Sequence, residues 1–104
     1  MKFLVVQIVR FVDDHQPGWV AGEFIDAEGH SHTIVDKVSV LSSEDLDAGS
    51  AYPKPGRVGC EVVARWRDSD GRDLLRISTA EPWGIESTQG VSEFVVLANQ
   101  VEST

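Results

Sequence analysis

A chain of 104 residues, 41% hydrophobic and 25% charged, has the composition of one ordinary globular domain rather than of a disordered or fibrous protein. Folding at this length removes roughly 60–70% of the surface the unfolded chain exposes, so the core is adequate but thin. Seventeen acids against nine bases give a formal charge of −8, which repels a phosphate backbone at long range and argues against nucleic acid as a partner.

The first run, Lys2 to Val12, carries apolar residues on both alternating sets: Phe3, Val5, Val9 and Phe11 on one, Leu4, Val6, Ile8 and Val12 on the other. A strand apolar on both faces is central in a covered sheet or bends through a barrel. Gln7 and Arg10 interrupt the run and no small-residue cleavage site follows, so it reads as a strand and not as a secretory signal. No stretch approaches the roughly 20 apolar residues of a spanning helix. A cytoplasmic protein with no membrane partner is the expectation.

After a turn at Asp13 to Gly18, which contains His15, the segment Trp19 to Asp26 pairs through Asp26-Ala27-Glu28-Gly29 with Ser31 to Leu41. Gly29 suits the left-handed position that closes such a hairpin, and Asp26 can accept from the amides of the turn. Ser42 and Asp45 stand in capping-box spacing with Gly49 as a stop, which predicts a short helical turn near residues 42–48. The stretch Ala51-Tyr52-Pro53-Lys54-Pro55-Gly56 reads as an extended crossover, since its prolines lack ladder donors.

From Arg57 to Asp68 the alternation is clean, with Val58, Cys60, Val62, Ala64 and Trp66 expected to face the core. A second hairpin turns at Asp68-Ser69-Asp70-Gly71 into Arg72 to Thr79. The stretches EFIDAEGH and RWRDSDGR share a pattern, which either a duplicated hairpin or good turn chemistry explains. Ser92 to Ala98 forms the last strand. The pattern predicts an all-β domain spanning residues 1–104, a six-stranded antiparallel barrel, with a sandwich as second choice.

Few residues invite a chemical reading. His30 and His32 lie on the same side of a strand, with Asp26, Glu28 and Asp36 close in sequence, a pairing that two imidazoles and a carboxylate use to hold a divalent metal. Solvated histidines fit the same pattern. Asp68, Asp70 and Asp73 resemble the start of a calcium loop but lack its bidentate Glu at the twelfth position. Cys60, the single cysteine, excludes an internal disulfide, and its inward alternation reads as packing. No nucleophile elbow, phosphate loop or dinucleotide fingerprint occurs. The chain is therefore read as non-enzymatic, with no cofactor.

The segment EPWGIESTQG, residues 81–90, is the oddest in the chain. Either Trp83 and Ile85 plug an open barrel end, or Trp83 is an exposed anchor of the kind enriched at interface hot spots. Together with GEFIDAEGHSHTIVDK and YPKPGRVGCEV, this segment resembles a group of short, uncharacterised bacterial proteins with a Pro-Trp-Gly-Ile-Glu-Ser-like tail. The resemblance spans most of residues 19–97. It implies a self-contained domain and transfers no functional residue.

The leading functional expectation is a protein-interaction module, in the manner of an immunity or inhibitor protein, that meets a basic partner. Trp83, Ile85 and Glu86 would contact it, beside acidic loops at Asp13, Glu44, Asp45 and Asp47, because complementary charge speeds encounter. The alternatives are a barrel holding a small ligand, with His32 and Trp83 at its mouth, and a weak metal protein or enzyme built on His30 and His32. Composition leaves the oligomeric state open.

Overall fold

The computed structural model describes residues 1–13 and 18–104. The turn expected between Asp13 and Gly18 falls largely outside them, and His15 wholly so. Among the described residues seven strands make one curled antiparallel sheet, a half-barrel: β1 (Lys2–Asp13), β2 (Trp19–Ile25), β3 (Ser31–Lys37), β4 (Lys54–Arg67), β5 (Asp73–Ser78), β6 (Glu93–Leu97) and β7 (Val101–Ser103). Their order is β3-β2-β1-β4-β5-β6, and β7 pairs with β1. The expected all-β, barrel-like fold is present, with one strand more than the sequence pattern suggested.

β1 organises the sheet because both its faces are apolar. Its inward set, Leu4, Val6 and Ile8, meets Val20, Ile34, Leu41, Val58, Ile77 and Val96, all essentially without exposure. These side chains fill the interior, as they do in small barrels. One half of β1 pairs with β4 (Lys2 to Ile8), and the other half pairs with β2 (Gln7 to Asp13).

The half-barrel's outer strands, β3 and β6, are bridged by turns and loops. The Thr88 amide donates to the Thr33 carbonyl (2.9 Å), and the Ala27 amide donates to the Val95 carbonyl (2.9 Å). Gln100, in the 3₁₀ turn Ala98–Gln100, accepts from the Leu97 amide and donates to the Ile25 carbonyl, both at 2.8 Å. These bonds occupy backbone groups that an open sheet would leave bare.

The short helix lies earlier than expected. It is α1 (Val38–Leu41), directly after β3, whereas Ser42 to Asp47 form irregular turns. The reason is burial: Val38 and Leu41 are both core residues. Three positions apart, they would point to opposite faces of a continued strand, and one helical turn brings them to the same face. Ser42 still uses its hydroxyl locally, accepting from the Glu44 amide at 3.0 Å.

The two matched hairpin turns are built alike. The Asp26 Oδ1 accepts from the amides of Glu28 and His30, and the Asp68 Oδ1 accepts from those of Asp70 and Arg72. Gly29 and Gly71 follow with φ of 87° and 81°, the left-handed region that favours glycine. The likeness ends at the turns, since β2 and β3 pair in continuous register while β4 and β5 do not.

That break corrects the expected core face of β4. A bulge lies between Val62 and Ala64, so Val62 stands opposite Ile77 but Ala64 stands opposite Arg76 and Trp66 opposite Leu74. One extra residue reverses every later side chain. Val58 and Cys60 stay buried as expected, whereas Val62, Ala64 and Trp66 are exposed. Residues 61–67 are exposed on both faces. They also run past the end of β1, whose pairing with β4 stops at Cys60.

Candidate functional site

The outward residues of β1 and β4 form a shelf on which the odd segment rests. Phe3 and Gly59 are directly opposite each other in the ladder, and a Cβ at Gly59 would come within 3.0 Å of the Trp83 ring. The indole therefore lies against bare backbone. Its ring centroid is 5.9 Å from that of Phe3, at a tilt of 54°. The Arg57 guanidinium lies 4.2 Å over the Phe3 ring, a cation–π contact. Arg57, Phe3 and Trp83 thus form one row across the face.

Trp83 keeps 41% of its surface exposed while Ile85 keeps 5%. The two readings of the segment therefore separate onto two residues. Ile85 is the plug, packed into the core cluster, and Trp83 is held on the outside. Tight bonds enforce this: the amide of Gly84 donates to the Ala80 carbonyl (2.8 Å) and that of Ile85 to the Thr79 carbonyl (2.9 Å). Buried Thr79 returns a hydroxyl bond to the Ile85 carbonyl at 2.7 Å. The Glu81–Pro82 peptide is cis, and Gly84 has φ 67°.

An open groove of about 220 Å³, lined by Val5, Leu41, Glu44, Gly56, Arg57 and Glu102 among others, connects this shelf with the acidic loop after α1. Glu44 contacts Lys54 at 3.6 Å. Asp45 is exposed. The Asp47 carboxylate is committed to its own loop, accepting from the Gly49 amide (2.8 Å) and the Ser50 hydroxyl (3.3 Å). Glu86 is exposed beyond Ile85. Of the five residues expected to meet a partner, Trp83, Asp45, Asp47 and Glu86 are at the surface, and Ile85 supports the loop from within. Phe3 and Arg57 complete the row although sequence reasoning gave them no such part. Gly59 was the available signal, because a glycine inside a strand often marks a close approach.

The histidine pair occupies a different place. The His32 Nε2 donates to the Asp26 Oδ2 at 2.8 Å, and its ring stacks on Phe24 (5.1 Å, 28°) and meets Phe94 edge-on (4.8 Å). His30 is largely exposed, with its Nδ1 3.7 Å from the same oxygen. Among the described residues no three His, Cys, Asp or Glu side chains converge as metal ligands do. Asp68 and Asp70 belong to the hairpin turn, where Asp68 pairs with Arg72 at 2.8 Å, and Asp73 opens β5 opposite Arg67. Burial pushes the Cys60 thiol up, against smaller opposing effects from a backbone bond to Leu4 and the charge of Lys2. It is a packed side chain.

Burial acts to raise the Asp26 carboxyl, but the bonds from His32 and from the amides of His30 and Glu28 outweigh it, and the group titrates below its ordinary 3.8. A depressed folded value contributes stability that is full above the unfolded value and is lost as pH falls through the folded one. Urea midpoints measured from neutral pH down to about pH 2 should therefore fall more steeply below about pH 4 for the native chain than for Asp26→Asn. Parallel curves would remove Asp26 from the acid response.

No protein-family model, curated protein or solved structure matches this chain. No helix among the described residues is long and apolar enough to cross a membrane.

Proposed function

We propose that this domain is a protein-interaction module that receives a basic partner on the outer face of the β1–β4 pair. The observation that carries the reading is the setting of Trp83, a large aromatic left two-fifths exposed yet held against Gly59 and Phe3. A pre-ordered indole loses little conformational freedom on binding, and Trp is enriched among residues that dominate interface energetics. The acids at 44–47, reached through the adjoining groove, supply the complementary field in a chain of charge −8. Such a surface suits an inhibitor or immunity-type protein that covers a basic counterpart.

The test is capture by the immobilised domain from its own lysate, followed by titration of the captured protein. A basic protein should be retained at low ionic strength and released at high salt. Trp83→Ala should weaken it by about 30-fold, equivalent to about 2 kcal/mol. Glu44→Gln with Asp45→Asn should slow association and flatten its salt dependence. Asp47 is kept because its carboxylate holds the loop. Retention indifferent both to salt and to Trp83 would reject the proposal.

A further inference from the structure

The distal half of β4 carries a feature that the Trp83 face does not use. Residues 61–67 pair with β5 on one side only. β1 ends opposite Cys60, and no other strand among the described residues pairs along the remaining edge. Unpaired backbone donors and acceptors on an edge are a template for another extended chain. The side chains there are apolar enough to hold one: Val62, Val63 and Trp66 are 38%, 58% and 37% exposed. At the near end an open groove of about 550 Å³ is lined by Met1, Lys2, Cys60, Glu61, Val62 and Pro82.

Charge narrows the choice of occupant. Residues 61–78 hold four of the nine basic side chains and four of the seventeen acids, so this end is neutral in an otherwise acidic chain. Arg65 has no ion-pair partner among the described residues, and Arg67 meets Asp73 at 3.2 Å with both side chains largely exposed. An exposed pair of that kind is easily exchanged. After the bulge, Arg65 and Arg67 share one face of the strand and Trp66 lies on the other. Antiparallel self-pairing about Trp66 would set Arg65 against Arg67, and like charges directly opposite are unfavourable.

We infer that the β4 edge at residues 61–67 accepts, by antiparallel strand addition, an extended peptide segment of alternating acidic and apolar residues. Its acidic positions, two apart, face Arg67 and Arg65. The apolar position between them lies beside Trp66, and a following apolar stretch runs along Val63 and Val62 toward the groove. Main-chain bonds supply the attachment and the alternating side chains the selectivity.

The full chain, labelled for amide NMR, should be titrated with acetyl-Glu-Val-Glu-Val-Val-Val-amide and with the same probe carrying Lys for Glu. The glutamate probe should shift the amides of residues 61–67 and slow their hydrogen exchange, with the lysine probe at least about tenfold weaker. The double variant R65E/R67E should reverse that order. Should the variant lose its dispersed spectrum, the two-probe comparison on the native chain still decides. Equal response to both probes, or shifts confined to the Trp83 face, would overturn the inference. So would protection of residues 61–67 that rises with protein concentration alone, because the occupant would then be a second copy. Loss of the Trp83-dependent partner leaves this result untouched, since the probe does not use that face.

Discussion

Ile85→Ala is expected to lower the unfolding free energy by about 2–5 kcal/mol, the range for truncating a large aliphatic side chain in a core. Trp83→Ala, two residues away and bulkier, is expected to cost about 1–3 kcal/mol, the partial burial of the ring together with its aromatic pair. The inversion follows from burial and not from size. Ile85 is enclosed by the core cluster, and its backbone is clamped to Thr79. The Trp83 ring has Phe3 and the Gly59 backbone beneath it and solvent above. Urea denaturation of the two variants measures the difference, and acrylamide quenching should fall in Trp83→Phe because an exposed indole has been removed. Equal losses of several kcal/mol, with quenching unchanged, would make Trp83 a second plug and withdraw it as an anchor.

The parts of the fold that were legible in the sequence are those set by local chemistry. Asp26 with Gly29 and Asp68 with Gly71 define their turns almost completely, since the same carboxylate-to-amide bonds recur in both. β1 announced itself through two apolar faces. What escaped depends on tertiary contact. The bulge at Val62/Ala64 leaves no trace in an alternation that reads Val, Cys, Val, Ala, Trp, yet it moves Trp66 from the expected core to the surface. The helical turn settled at Val38–Leu41 because two side chains needed one face, a demand that capping residues at 42–48 do not register. β7 is three residues long, and its existence rests on pairing with Lys2 to Leu4. The site was half visible: Trp83 stood out by composition, whereas Phe3 and Arg57 read as ordinary strand residues until the ladder set Gly59 between them and the indole.

Two glycines of β4 separate what the fold needs from what the shelf needs. At Gly56 an added Cβ would lie 2.8 Å from the Ile8 side chain and 2.8 Å from the Leu41 carbonyl oxygen. The Ile8 tip has some freedom, but the carbonyl belongs to α1, whose backbone is held by the bond from the Ser42 amide to Val38 (2.9 Å). Gly56→Ala therefore has to displace α1 and the acidic loop behind it, at a cost of about 1–3 kcal/mol. At Gly59 the nearest atoms to an added Cβ are those of the Trp83 ring, at 3.0–3.2 Å, and an indole open to solvent on its other side can lift away. Gly59→Ala should leave the melting temperature close to that of the native chain while shifting the resonances of Phe3 and Trp83 and weakening partner binding. Gly56→Ala should do the reverse in order of size, a large stability loss accompanied by movement of residues 41–50. If Gly59→Ala proved the more destabilising of the two, Trp83 would be part of the packing on which stability depends, and its claim to be a binding anchor would be withdrawn.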